Sequence, residues 1–183
     1  YNITTSNKSN LLFKACISDN LNLVKYLIDE LKFDIDYQNN FKQTCLYHCC
    51  HCKTTRVFDY LVETYSIDFK NLRDNYNITI MQNSRTVPFL EHMIKKYDYD
   101  IDHIDEINKN NILFYACSFE NVDLIDYILK NSSSSLYEID KQNNYILYVT
   151  LIILETYELS SKLIKKYKID VNHQNIKGHN ILF

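Results

Sequence analysis

Doublets of apolar residues recur along the chain with two polar or variable positions between them. They read Leu23-Val24-x-x-Leu27-Ile28, Val57-Phe58-x-x-Leu61-Val62, Phe89-Leu90-x-x-Met93-Ile94 and Leu124-Ile125-x-x-Ile128-Leu129, with a weaker fifth copy at Leu159-Ser160-x-x-Leu163-Ile164. Positions i, i+1, i+4 and i+5 share one face of an α-helix, so each copy predicts a helix burying a stripe. Their starts, 23, 57, 89, 124 and 159, step by 34, 32, 35 and 35 residues. A constant period of this length marks a repeat whose units bury their apolar faces only against one another.

Two further signatures keep the same period. About a dozen residues before four of the doublets, and once more at 180, stands a polar residue followed by an apolar run: Asn10-Leu11-Leu12-Phe13, Thr44-Cys45-Leu46-Tyr47, Asn111-Ile112-Leu113-Phe114, Tyr145-Ile146-Leu147-Tyr148 and Asn180-Ile181-Leu182-Phe183. Asn or Thr at that place is a helix N-cap, its side chain accepting from free backbone N–H groups, and predicts a short first helix. After each doublet helix comes an acidic triplet, Asp34-Ile35-Asp36, Asp68-Phe69-Lys70, Asp100-Ile101-Asp102, Glu138-Ile139-Asp140 or Asp170-Val171-Asn172, leading into Asn-rich turns. The unit is helix, helix, turn.

In these motifs the chain resembles the ankyrin repeat family, whose unit of about 33 residues is a β-turn and two helices. The family's Thr-Pro-Leu-His-x-Ala-Ala aligns with Asn10 to Cys16 and Asn111 to Cys117, and its Ala-Asp-Val-Asn with Phe33 to Asp36 and Ile169 to Asn172. The resemblance implies a mainly α fold, an ankyrin-repeat solenoid of helix-turn-helix units with β-hairpin or extended turn fingers. The expected divisions are a turn segment at 1–9, repeats at 10–43, 44–78, 79–110, 111–144 and 145–179, and the start of a further repeat at 180–183. Ser132 to Ser135 reads as an insertion. The third repeat is degenerate: its first helix is expected to be short or distorted, whereas Ser84 to Pro88 marks the start of its second, with a capping hydroxyl and Pro88 in the first turn.

With one glycine and one proline in 183 residues, turns that commonly use glycine must be made otherwise. Asn and Asp are the expected substitutes, because they tolerate the left-handed backbone region. A net charge of −3 with scattered basic residues gives no footprint for nucleic acid. No run approaches the roughly 20 apolar residues of a membrane helix, and no charged-then-apolar leader opens the chain. The expected setting is intracellular, most directly cytoplasmic, with free thiols.

The stretch Leu46-Tyr47-His48-Cys49-Cys50-His51-Cys52-Lys53 invites a zinc reading, since thiolate and imidazole are the preferred ligands of that ion. Register favours another: Cys49-Cys50 fall where Ala15-Cys16 and Ala116-Cys117 stand, positions that want small apolar side chains, and free Cys behaves as one. His48, His51 and Cys52 remain on the other face. They lack a second ligand pair elsewhere, so no metal and no cofactor is expected. Phosphate-cradling glycine loops are absent, and the acidic run Tyr97 to Glu106 reads as a solvated finger. No catalytic constellation stands out, so the chain is read as not an enzyme.

What remains is binding. The resemblance implies a protein-protein interaction scaffold whose partner lies on a concave surface of inner helices and fingers. Candidate contacts are Tyr37, Gln38, Asn40 and Phe41 at one finger, His103, Ile104 and Asp105 at another, and Lys14, Ser18, His48, His51, Cys52, Tyr115 and Phe119 on inner helices. Tyr115 and Phe119 read equally well as internal packing. Further ankyrin repeats are expected at both ends, where Leu11 to Phe13 and Ile181 to Phe183 look for neighbours. The alternatives are an architectural subunit of a large cytoskeletal or viral assembly and a targeting module attached to an enzyme.

Overall fold

A computed structural model describes residues 5–105, 107, 109–135, 157–174, 178 and 180. The expectations for 145–148 and most of the fifth repeat's first half lie outside the described residues, as does the start expected at 181–183. The chain divides into two compact units, 1–99 and 100–183.

In the first unit, α1 (Leu11–Ile17) begins where Asn10 accepts a hydrogen bond from Leu12 N. α2 (Leu21–Lys25) is capped in the same way by Asn20 and runs on into a π-turn at Tyr26–Glu30. The Cys45–His51 segment is a 3₁₀ helix, not the α-helix its apolar run suggests. Thr44 precedes it but makes no side-chain cap bond, so nothing organises a wider first turn there. α3 (Arg56–Tyr65) follows, then a 3₁₀ turn at Phe69–Asn71 and α4 (Val87–Tyr97), with Thr86 Oγ1 accepting from Phe89 N and Pro88 in the first turn.

Before α4 the degenerate first helix is reduced to turns at 80–83. Thr79 and Gln82 still form the reciprocal bonds of a capping box, with Gln82 Oε1 accepting from Thr79 N at 2.8 Å and Thr79 Oγ1 from Gln82 N at 3.2 Å. Thr86, only seven residues after Thr79, opens α4 before a full helix can grow.

The apolar faces of these elements form one core of Leu12, Phe13, Val24, Leu27, Leu46, Tyr47, Val57, Phe58, Leu61, Phe69, Ile80 and Phe89. Phe58 sits among Phe69, Phe89 and Tyr97 with edge-to-face ring centroids 5.1, 5.2 and 5.8 Å apart.

In the second unit, α5 (Ile112–Ser118) is capped by Asn111, whose side chain accepts from Phe114 N, and α6 (Val122–Asn131) by Asn121. α7 (Tyr157–Tyr167) carries the fifth doublet, with Leu159, Ser160 and Leu163 buried.

Among the described residues there is no strand. A single antiparallel bridge joins Arg73 and Thr79, so the fingers are turns rather than hairpins.

Among the described residues ten that are not glycine have positive φ, and they fall at repeating places: fingertips Lys8, Lys42, Asn77 and Lys109, helix ends Lys32, Ser66, Asp98 and Lys168, and interhelix turns Asp19 and Glu120. Asn and Asp were the expected occupants. Lysine in fact takes five of the ten positions, which shows that the repeat imposes these turns whatever side chain stands there.

Candidate functional site

Four fingers share one local construction. A polar residue opens each turn and its side-chain oxygen accepts backbone N–H groups inside the loop. Asn39 Oδ1 accepts from Phe41 N and Gln43 N, Asp74 Oδ1 from Tyr76 N and Ile78 N, Asp105 Oδ1 from Ile107 N, and Thr5 Oγ1 from Ser9 N. These are Asx-type turns, closed by the left-handed residue near the tip.

In the first unit the fingers also bond to one another. Asn40 N donates to Asn7 O at 3.0 Å, Asn75 N to Phe41 O at 2.9 Å, and Gln43 Nε2 to Asp74 Oδ2 at 2.9 Å. The ladder fixes the spacing of the exposed tips. On it Phe41 and Tyr76, 37% and 63% exposed, lie with ring centroids 6.4 Å apart.

Behind the first two fingers opens a cleft of about 320 Å³, lined by Thr5, Ser6, Asn7, Ser9, Phe13, Lys14, Ile17, Phe41 and His48. The Lys14 side chain projects from α1, and its ammonium forms no hydrogen bond or ion pair among the described residues. His48 comes from the 3₁₀ helix. Its ring meets Phe13 edge-on at 5.0 Å and stacks on His51 at 5.9 Å, and its Nε2 is buried with no partner. Burial, helped by the charges of Lys14 and Arg85, lowers His48 to about 4. Burial, Arg85 and His48 lower His51 likewise to about 4. Both imidazoles are therefore neutral at pH 7.

The predicted site residues separate accordingly. Lys14, Phe41 and His48 meet at the cleft, and His51 lies against His48. Gln38 and Asn40 are exposed on the second finger, Tyr37 is half-buried with its ring 6.2 Å from Phe13, and Ser18 donates to Ala15 O. Two placements correct the sequence reading, and a third falls on the packing side of the two readings left open for Tyr115. Cys52 is buried and its thiol donates to the carbonyls of Cys16 and Ile17, both at 3.2 Å, so it ties the 3₁₀ helix to α1 instead of facing outward. Asp105 is fully buried as the turn-opening residue of its finger. Tyr115 is buried on α5 against Phe114, with Phe119 half-buried beyond it. In the second unit His103 and Ile104 stay exposed.

Sequence reasoning missed Tyr76 and Arg85. Tyr76 was legible as the residue two past Asp74, the register of Phe41 after Asn39.

The other cysteines are internal. Cys49 and Cys50 are 1% and 0% exposed, and burial pushes their thiols up to about 11 and about 12. Cys50 Sγ donates to Tyr47 O at 2.6 Å. Among the described residues no three His, Cys, Asp or Glu side chains are grouped to hold a metal ion, and no helix is long and apolar enough to cross a membrane.

Comparison with known proteins agrees with this geometry. Residues 12–62 match the sequence profile of the family described as ankyrin repeats, many copies. Similar solved structures include the ankyrin repeat domain of Bcl-3, at 13% identity and a TM-score of 0.59 over 99% of this chain and 79% of that one. The human ASB11 ankyrin repeat domain gives 17% identity and a TM-score of 0.62 over the same shares. A structure of the Bd0816 predatory endopeptidase from Bdellovibrio bacteriovorus in complex with immunity protein Bd3460 gives 17% and 0.57, over 98% of this chain and 90% of that chain. The curated proteins give no match. Residues 12–62 are thus ankyrin-repeat sequence, and the chain has the mainly α fold of ankyrin repeat domains.

Proposed function

We propose that this chain is a non-catalytic protein-protein interaction scaffold whose partner meets the fingers and first helices of residues 5–99. The observation that carries the reading is the exposed Phe41–Tyr76 pair, held by the finger ladder with Phe41 lining a cleft. Two aromatic rings left in water cost solvation unless something covers them, and aromatics among polar residues dominate interface energetics. Ankyrin repeats are protein-binding modules, which supports the same reading. The repeat boundaries 10–43, 44–78 and 79–110 give each finger to one unit, so the partner would read successive units.

Co-purification with mass-spectrometric identification tests it, comparing the wild type with a Phe41→Ala/Tyr76→Ala double variant. The reading expects a stoichiometric protein partner with the wild type and its loss with a variant of unchanged helical content. Identical partner lists, or none with either protein, would count against it.

A further inference from the structure

The cleft behind the first two fingers has a one-sided charge. Among the described residues its lining contains no carboxylate, and the one charged group there is the Lys14 ammonium, which has no partner among them. The charges that His48 feels from neighbouring elements are also cationic, Lys14 on α1 and Arg85 on the segment before α4. On its own helix it stacks on His51, which in turn feels Arg85. Some exposed cations of the first unit do sit against acids: Arg56 pairs with Asp19 at 3.2 Å and Lys96 with Asp59 and Glu63 at 3.0 and 2.6 Å. In a chain of net charge −3, a cation left without an acid beside two imidazoles and a second cation is a local inversion of sign.

The rest of the lining is apolar or uncharged. Phe13, Ile17 and Phe41 supply hydrocarbon, and Thr5, Ser6, Asn7 and Ser9 supply hydroxyl and amide groups.

We propose that this cleft receives an acidic side chain of the partner protein, an Asp or Glu in an extended segment, with its carboxylate at Lys14 and the edge of His48 and an adjacent apolar residue against Ile17 and Phe41. The proposal rests on the protein-binding reading above and adds the partner's chemistry. A carboxylate brought between Lys14 and His48 offsets the cationic field that helps keep the imidazole neutral, so binding takes up a proton and tightens as pH falls from 7 toward 5.5, above the carboxylate's own titration. Added salt weakens it, since the attraction lies at a partly open surface.

Selection from a phage-displayed random decapeptide library on the purified chain tests this. The expected pool is enriched in Asp or Glu next to Phe, Tyr, Leu or Ile. A synthetic peptide from it should lose at least tenfold in affinity when its acid is changed to the amide, and as much against Lys14→Ala, whose exposed position leaves the fold intact. It should bind more tightly at pH 5.5 than at pH 7.5, and His48→Gln should remove that difference. A pool of peptides without acids, or acidic peptides that bind Lys14→Ala as well as wild type, would overturn the proposal and leave the interaction reading standing. A library that yields no binder at all would count against both.

Discussion

The Tyr97 hydroxyl at the end of α4 donates to the Asp59 carboxylate in the first turn of α3 at 2.8 Å. His92 Nε2 lies 2.9 Å and Lys96 Nζ 3.0 Å from the same carboxylate. Counted from the doublets that start at 57 and 124, the acid two positions in meets the Lys and Tyr seven and eight positions into the next doublet. The second unit repeats the arrangement where Lys166 and Tyr167 both bond Asp126. One register therefore ties successive second helices together in both units.

Tyr97→Phe should cost about 1 kcal/mol and Asp59→Ala about 2–3 kcal/mol in urea unfolding, since hydrogen bonds to a charged group are among the stronger ones. The double variant should cost less than the sum, because the two side chains share the bond. Strict additivity would mean that the pair does not couple the helices.

The acid limb follows from the same carboxylate. Burial pushes Asp59 up, but the bonds from His92, Tyr97 and Lys96 outweigh it and hold it below the usual carboxylate range. A depressed carboxylate stabilises the fold above the unfolded range and loses that contribution as pH falls through its folded value. Asp59→Asn should therefore flatten the loss of stability at low pH, measured as melting temperature from pH 5 to pH 2.

His48 and His51 act at a higher pH. Each titrates near 6.5 when unfolded and about 4 when folded, so from 6.5 downward the unfolded chain binds more protons. Stability is full above that range and declines as pH drops toward 4. The His48→Gln/His51→Gln variant should show a smaller fall in melting temperature between pH 7 and pH 4.5 than wild type. An equal fall would place the sensitivity elsewhere.

The left-handed lysines offer a test in the stabilising direction. Lys8, Lys42 and Lys109 hold φ of 62, 58 and 56° at fingertips. An L-residue there costs about 1–2 kcal/mol, partly offset when Gly replaces it by the entropy that Gly loses, roughly 0.5–1 kcal/mol. Lys42→Gly should raise stability by about 0.5–1 kcal/mol in urea, with Lys25→Ala, a cation lying 4.9 Å over the Tyr60 ring, lowering it by less than about 1 kcal/mol.

Much of this fold was legible because its strongest signals are local. Asn10 and Asn111 cap the helices they precede, Thr86 and Pro88 open α4, and the doublets lie in α2 with the π-turn that continues it, and in α3, α4, α6 and α7. The register argument also placed Cys49 and Cys50 inside. What escaped depends on partners distant in sequence or on backbone geometry that composition does not encode. Cys52 looked outward by helical counting because the 3₁₀ segment turns differently from an α-helix, and its bonds run to residues 35 and 36 positions away. Asp105 resembled a surface acid until its equivalence to Asn39 and Asp74 as a turn-opening residue was visible. The Asp59–Tyr97 bond spans 38 positions.

Hydrogen exchange with and without the co-purified partner tests the central claim most directly. Slowed amide exchange on binding should appear in 39–43 and 74–78, the fingers bearing Phe41 and Tyr76, and in Cys45–His51, while α3 and α4 stay unchanged. Protection confined to α3 and α4, with the fingers exchanging as fast as in the free chain, would contradict the account.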